Sequence, residues 1–285
     1  MTLRVAAPAF ASAEALPEIV AFMERVVPRE RPWGPDLAWQ YLSNPSGVAR
    51  YVNAYDDSAR LIAHYAVLPT PPLAEFAGLL AGTYLSLNVA ADPAATIPGL
   101  MIATTRALYR QLQADGPVVV VGVTNENSFQ GFVRVLSFRS LGRLSLSVYP
   151  PGVWPRAQPR RALADVPAHV RWRATRPGVR TFVDAARGGL TVRLRHLGVP
   201  LDAVLSVGLP AEAVGGLSLP RPARWVPRLY ASFGGMVRNG FPVPDRVRPS
   251  PLEYVFRVFG RDDLTDPVHR YLSATRFEFM DFDVV

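Results

Sequence analysis

Leu85-Ser86-Leu87-Asn88-Val89-Ala90-Ala91-Asp92-Pro93-Ala94-Ala95-Thr96-Ile97-Pro98-Gly99-Leu100-Met101 is the stretch that decides how this chain folds. Its opening residues extend an apolar run over 80–91 that reads as a strand. Asp92-Pro93 and the small residues after it end that run. Pro98 and Gly99 then open a helix that continues to Gln113, since Pro is common in a first helical turn. A strand that passes through a short loop into a long helix leaves unpaired N–H groups and the positive end of the helix dipole at one spot. That is the local chemistry of an anion site.

Outward from this stretch, strand and helix patterns alternate. Residues 117–123, Pro followed by Val-Val-Val-Val-Gly-Val, form the continuous apolar run of a strand covered on both faces. A helix over 128–136 and a strand over 144–149 follow. Upstream, a strand over 3–7 precedes a helix over 12–27 with Leu16, Ile19, Val20 and Met23 on one face. Asp36 is placed to cap a second short helix, which stops at Asn44-Pro45. Strands are expected over 51–55 and 60–68. Five prolines between Tyr149 and Pro167 mark a linker. The remainder reads as strands over 170–174, 189–197, 203–208 and 278–285, with helical stretches over 222–239 and 251–258. The expected domains are therefore 1–150, a Pro/Arg-rich linker at 151–167, and a strand-rich domain at 168–285.

Composition narrows the chemistry. With 285 residues and 49% hydrophobic content the chain supports one large domain or two modest ones. It has no cysteine, which excludes disulfides, thiolate metal sites and a Cys nucleophile. No apolar run is long enough to cross a bilayer and the start lacks a signal-peptide pattern, so a cytoplasmic protein is expected. His64, His169, His196 and His269 show no metal-ligand spacing, and no metal is expected. The chain has no lysine; its +8 charge rests on arginine and lies wholly in the second half, with 20 Arg against 12 acids in 151–285. Such a field favours an anionic partner, and Arg193, Arg195, Arg221, Arg224 and Arg228 offer forked donors for it. No nucleic-acid motif accompanies the charge, so nucleic acid is not the expected partner.

The element order and two motifs resemble the GNAT superfamily of N-acyltransferases. The first motif is the 85–101 stretch quoted above, similar to the family's fourth strand, pyrophosphate loop and third helix. The second is Val118 to Val123 followed by Asn125, Asn127-Ser128, Phe132 and Leu136-Ser137-Phe138, similar to its fifth strand and fourth helix. More narrowly, Trp39, Tyr41, Asn44-Pro45, Ala63-His64-Tyr65 and Asp281-Phe282-Asp283 resemble two-part bacterial GNAT proteins found among polysaccharide genes.

The resemblance implies an α/β (α+β) fold with a mixed central sheet and flanking helices, and a second half that is a degenerate second module. It implies acetyl-CoA or another acyl-CoA as co-substrate and a primary amine of a small molecule as acceptor, an anionic amino sugar being the preferred class. Carried over residue by residue, Val89, Ala90 and Ala91 supply backbone contacts to pantetheine, and Thr96, Gly99, Leu100 and Met101 occupy the pyrophosphate loop. Asn127 and Phe132 border the pantetheine, and Ser128 caps the next helix. Tyr84, His64 and Glu126 are the candidate acid–base residues. The family's loop calls for Arg or Gln where Thr96 stands and Gly or Ala where Met101 stands; only Gly99 matches. Pro98 removes one phosphate-binding N–H, and the family's general-acid Tyr position holds Val133. Two alternatives follow: a donor carried on acyl carrier protein, whose arm lacks the nucleotide, or a non-catalytic ligand-binding protein on the same fold.

Overall fold

The computed structural model describes residues 3–29, 31–155, 167–196, 199–233, 240–244, 251–275 and 277–278. Among them fifteen strands and seven α-helices follow in order: β1 (Arg4–Val5), β2 (Ala9–Phe10), α1 (Leu16–Val26), α2 (Trp33–Leu42), β3 (Arg50–Tyr55), β4 (Leu61–Pro69) and β5 (Gly82–Ala91). Next come α3 (Leu100–Ala114), β6 (Val118–Thr124), α4 (Glu126–Gln130), β7 (Arg139–Arg143), β8 (Ser145–Tyr149), α5 (Pro167–Ala174), β9 (Arg180–Asp184), β10 (Gly189–His196) and β11 (Val199–Ser206). The chain continues with α6 (Ala211–Val214), β12 (Arg228–Phe233), β13 (Phe241–Pro242), β14 (Glu253–Phe259), α7 (Thr265–Ala274) and β15 (Phe277–Glu278).

The strands build two sheets. One has the order β1-β3-β4-β5-β6-β14-β7, with β2 also on β3; the other has the order β13-β8-β12-β11-β10-β9, with β15 also on β12. Two compact units contain them, and neither is a continuous half of the sequence. The first comprises Met1–Gly122, Gln130–Arg139 and Phe256–Thr265; the second comprises Val123–Phe129, Ser140–Val255 and Asp266–Val285. The segments 1–150 and 168–285 therefore each contribute to both units, because β8 completes the second sheet and β14 completes the first.

In the first unit β3, β4 and β5 are antiparallel neighbours and β6 runs parallel to β5. The helix α1 buries Leu16, Ile19, Phe22 and Met23, a stripe at helical spacing. Burying an aliphatic or aromatic side chain of this kind contributes about 1.5–3 kcal/mol. The helix α3 buries Leu100, Thr104, Thr105, Leu108, Tyr109 and Leu112. Its Tyr109 hydroxyl meets that of Tyr65 on β4 at 2.6 Å, and the Tyr65 hydroxyl also donates to Ser86 Oγ on β5 at 3.0 Å.

The second unit repeats the strand plan. The strands β9, β10 and β11 are antiparallel neighbours, and β12 runs parallel to β11. Leu190 faces Ser206 while Thr191 faces Val204, so Leu205 is an extra residue in β11, a β-bulge just past the last parallel pair, Val204 opposite Tyr230. The connection between β11 and β12 carries only the four-residue α6 where the first unit has the fifteen-residue α3. Buried Glu278 accepts hydrogen bonds from Ser206 Oγ and the Tyr230 hydroxyl.

Several local expectations are corrected. Asp36 does not cap α2: Pro32 occupies the N-cap, and Asp36 sits inside the first turn, buried and paired with Arg29 at 2.7 Å. Residues 170–174 are helical rather than extended, since Pro167 opens α5 and His169, Val170, Trp172 and Arg173 are buried at helical spacing. The helical stretches expected in 222–239 and 251–258 contain β12 and β14 instead. Aromatic and β-branched residues dominate β14, where Tyr254, Val255 and Phe256 are fully buried in succession, as in a strand covered on both faces; β12, Arg-Leu-Tyr-Ala-Ser-Phe, is extended because it ladders with β11 and β8. The final strand over 278–285 begins with β15 and otherwise lies outside the described residues.

Glu278→Ala would leave the Ser206 and Tyr230 hydroxyls buried without their shared acceptor. We expect it to lower unfolding free energy by about 2–4 kcal/mol, with Glu278→Gln milder. Urea denaturation measures this, and an unchanged midpoint in the Ala variant would show that the carboxylate is not needed to close this part of the second unit.

Candidate functional site

The strand β5 has two different halves. It pairs with β6 from Gly82 opposite Val118 to Ser86 opposite Gly122, and that ladder stops there. On its other edge it follows β4 to the end, where Ala90 faces His64 and Ala91 faces Ala63. Between Leu87, opposite Ala66, and Ala90, opposite His64, the two residues Asn88 and Val89 stand against Tyr65 alone. This is a β-bulge, and Asn88 adopts φ +52°, a left-handed conformation that Asn tolerates better than most residues. Past Ser86, then, β5 keeps one laddered edge and presents a second edge with no β6 partner. An extended ligand that carries amides can pair with an edge of this kind as a strand would. Val89 is 40% exposed there, while Ala90 is buried.

The loop after β5 is pinned by Asp92. Its backbone N–H donates to Ile62 O at 2.8 Å, its Oδ1 accepts from the Ala94 N–H at 2.9 Å, and its buried Oδ2 pairs with Arg60 at 2.5 Å and Arg25 at 3.6 Å. Ala95, Ile97, Leu100 and Met101 pack on a core of Ala54, Ile62 and Ala63. The side chains of Leu100 and Met101 are therefore turned to the interior, and Met101 meets a ligand only through its backbone. Gly99 is the N-cap of α3 with φ +73°, and a Cβ placed on it would meet nothing within 4 Å. The glycine is required by backbone conformation, and open space lies beside it. Leu100 N–H already donates to Ile97 O at 3.2 Å. Met101 and Ile102 thus provide the first-turn N–H groups that the helix dipole makes attractive to an anion. Thr96 is exposed in the loop.

A buried polar chain reaches the bulge from the side of α2. Asn88 Nδ2 donates to the Tyr41 hydroxyl and to Gln40 Oε1, both at 3.0 Å. The Tyr41 hydroxyl lies 2.8 Å from His64 Nε2, and His64 Nδ1 lies 2.7 Å from Asn53 Oδ1. Since an amide oxygen only accepts, Nδ1 carries the proton and Nε2 accepts from Tyr41. Beyond, Asn53 Nδ2 donates to the Tyr55 hydroxyl at 3.2 Å, which donates to Glu18 Oε2 at 2.8 Å. Burial pushes the Tyr41 hydroxyl pKa up and the His64 pKa down to about 3, because desolvation opposes the charged form of each. His64 is therefore a neutral, fully engaged core residue with no lone pair free for a substrate, which does not suit it to the base role expected of it. Asn88, Tyr41 and Asn53 had no assigned part in the sequence reading; an Asn near the end of an apolar strand was the available sign.

The other expected residues separate. Tyr84 lies in the fully laddered half of β5, opposite Val120 and Pro69 and 8% exposed, with its ring 5.8 Å from the Arg50 guanidinium, which pairs with Asp115 beyond the far end of α3. Four residues of extended strand, about 13 Å, separate it from the bulge. Phe132 is buried against Phe138 with ring centroids 5.0 Å apart, a core contact. Glu126 and Asn127 are exposed on α4, in the Val123–Phe129 segment of the second unit. Ser128 is not the cap: Asn125 Oδ1 accepts its N–H at 3.0 Å, and Ser128 Oγ in turn accepts the Asn125 N–H at 3.2 Å. That reciprocal pair is a capping box with Asn125 as the cap. Of the arginines expected to meet an anion, Arg193 pairs with Asp202, and buried Arg228 donates to Val153 O at 2.9 Å. Arg221 and Arg224 are exposed, and the Arg195 side chain, like Asp281 and Asp283, lies outside the described residues. Among the described residues no three His, Cys, Asp or Glu side chains converge as a metal site, and no helix is long and apolar enough to cross a membrane.

The fold has solved counterparts. A probable N-acyltransferase from Enterococcus faecalis V583 superposes with a TM-score of 0.53 over 93% of this chain and 74% of its own, at 11% identity. A GCN5-related N-acetyltransferase from Anabaena variabilis ATCC 29413 gives 0.50 over 89% of this chain and 72% of its own, at 12% identity. A putative acetyltransferase from Pyrococcus horikoshii covers 90% of this chain and 89% of its own, at 8% identity and a TM-score of 0.49. No family profile and no curated protein matches the chain by sequence.

Two substitutions test this geometry. His64 is neutral in the folded protein, whereas the unfolded chain protonates near pH 6.5. Its contribution to stability is thus fully present above about pH 6.5 and is lost as pH falls toward 3. His64→Gln should destabilise at pH 7.5 by about 1–3 kcal/mol yet show a shallower loss between pH 6.5 and 4; urea midpoints across that range give both numbers, and parallel pH curves would place the proton uptake elsewhere. Asn88→Gly should cost about 1–2 kcal/mol through the two lost side-chain hydrogen bonds, whereas Asn88→Val should cost roughly 2 kcal/mol more from its left-handed backbone. Equal melting temperatures for those two variants would mean the bulge is not held in that conformation.

Proposed function

We propose that this chain, whose fold is that of the GNAT N-acetyltransferases, transfers an acyl group from acyl-CoA to a primary amine of a small molecule. The observation that carries the reading is the half-unpaired β5, bulged at Asn88 and leading directly into the glycine-capped N-terminus of α3. The pantetheine amides would pair with the free edge of Leu87 to Ala91, and the pyrophosphate would lie by Gly99 near the Met101 and Ile102 N–H groups. With the thioester so placed, the amine nitrogen forms a bond to the carbonyl carbon, the carbon–sulfur bond breaks, and CoA leaves as the thiolate while the amine proton passes to solvent. Positioning supplies most of the acceleration in this scheme, since effective molarities from orientation alone are large. Asn88, Tyr41 and His64 are positioning residues that fix the bulge. A cytoplasmic setting and an anionic amino-sugar acceptor remain part of the proposal.

A donor carried on acyl carrier protein is favoured by one feature of the loop. Pro98 has no N–H and the Leu100 N–H is already engaged by Ile97 O, so the pyrophosphate cradle is reduced. A phosphopantetheine arm without a nucleotide would not need it.

A thermal-shift panel of CoA, acetyl-CoA, longer acyl-CoAs and 4′-phosphopantetheine separates these readings. A ligand at 100 times its dissociation constant stabilises by about 2.7 kcal/mol. Gly99→Asp, for which there is open space but a left-handed backbone that costs about 1–2 kcal/mol, should weaken CoA by roughly ten- to a hundredfold through the added charge, with Gly99→Asn as the control for backbone strain alone. Unchanged CoA affinity in the Asp variant, measured by calorimetry, would remove this loop from the site. Stabilisation by 4′-phosphopantetheine equal to that by acetyl-CoA would favour the carrier-protein donor.

A further inference from the structure

A second cavity in the first unit lies along the flank of α3, away from the helix N-terminus. It encloses about 530 Å³ and is lined by Ala103, Arg106, Ala107, Tyr109, Arg110 and Gln113 of α3, by Val135 and Ser137, by Arg257 and Phe259 of β14, and by Val5. Among these described residues three are arginines and none is acidic. The guanidinium groups of Arg106 and Arg257 are held by backbone carbonyls: Arg106 donates to Val135 O at 3.3 Å, and Arg257 donates to Leu136 O. Each of those carbonyls occupies one end of a fork and leaves other N–H groups of the same guanidinium available. Arg110 is exposed at the rim. Burial holds the Arg257 pKa below its usual range, while Tyr109 and Asp262 act in the opposite direction; Asp262 does not line the cavity.

The floor is apolar. Val5, Ala103, Ala107 and Phe259 form it, the Tyr109 hydroxyl is turned away to Tyr65, and Val135 remains 39% exposed at the edge. Ser137, on the wall, adopts φ +55°, a left-handed conformation uncommon for serine. The volume is that of a small-molecule pocket, well beyond the needs of a lone ion.

We infer that this cavity binds a small organic phosphomonoester, its phosphate held by Arg106, Arg110 and Arg257 and its body on the apolar floor. Three forked cations around one space match the three terminal oxygens of a phosphate better than the two of a carboxylate. The site is separate from the proposed thioester site. The lining on α3 begins at Ala103, one turn from Gly99, but at 1.5 Å per residue Arg106 and Arg110 stand about 10 and 16 Å along the helix from Gly99, so a pyrophosphate at Gly99 does not meet them.

Calorimetry on the full chain with phenyl phosphate, and with phenol and inorganic phosphate as controls, tests the inference. The expected result is binding of phenyl phosphate, weaker binding of inorganic phosphate, and none of phenol. Arg110→Gln, a surface change, should reduce phenyl phosphate affinity about tenfold or more, and Ala107→Trp should abolish binding by filling the floor while melting shows the fold retained. The inference fails if phenyl phosphate does not bind, or if Arg110→Gln leaves its affinity unchanged. It also fails if CoA displaces phenyl phosphate competitively, since the ligand would then sit in the thioester site. Because the readout is phenyl phosphate rather than acyl transfer, an inactive or CoA-blind protein that still binds it sustains this inference while sinking the other.

Discussion

The first unit depends on a conflict within β5. Tyr84, Leu85 and Ser86 stand in two ladders and the five residues after them in only one, and the change falls between Ser86 and Asn88. A strand cannot shed one neighbour and keep the other without an adjustment in twist or register, and the bulge at Asn88 and Val89 supplies it. The unpaired edge has a cost, because peptide groups removed from water without partners lose about 1–3 kcal/mol each. It persists only where solvent or a ligand completes it. The surroundings fix the rest: Asp92 ties the loop to Arg60 and to Ile62, and the Asn88–Tyr41–His64–Asn53 chain holds the bulge from the opposite side.

The second unit shows what the same plan becomes without a long helix. It keeps three antiparallel strands, a parallel fourth and a bulge at Leu205. It does not keep the fifteen-residue helix, and α6 is too short to concentrate a dipole at its start. Where a ligand would need free polar groups near that bulge, Ser206 and Tyr230 are already spent on Glu278. The two units therefore share a strand plan and differ at the bulged strand's end, where only the first has a long helix N-terminus beside an edge without a ladder partner.

Arginine serves two purposes in this chain. Where it meets carboxylates, as in Arg60–Asp92, Arg29–Asp36 and Arg193–Asp202, it fixes loops and strands. Around the flank of α3 it meets carbonyl oxygens instead, at Val135 and Leu136, which orient a guanidinium without neutralising it. The net charge of the second half suggested an anion there. The structure spends two of the arginines that prompted that expectation on internal partners, and in the first unit Arg106, Arg110 and Arg257 line one cavity with no carboxylate among its described lining residues.

What the sequence by itself determined is the order of most elements in the first half, without β2 and β7, and the strand–loop–helix junction at 85–101. There, local signals agree: apolar runs give strands, Asp92-Pro93 ends one, and Pro98-Gly99 starts a helix. It also indicated the glycine at 99, whose left-handed backbone is a property of that residue. Tertiary structure decided the rest. The strands β12 and β14, Arg-Leu-Tyr-Ala-Ser-Phe and an aromatic and valine run, read equally as buried helix, and only their places beside β11 and in the first sheet select the extended form. His64 looked like a base because its intrinsic pKa suits one; complete burial between Tyr41 and Asn53 makes it a neutral strut. Register is the reason for both outcomes. Which residues face a neighbour, and whether a titratable group keeps its water, depends on pairings between segments distant in sequence, and no local pattern encodes them.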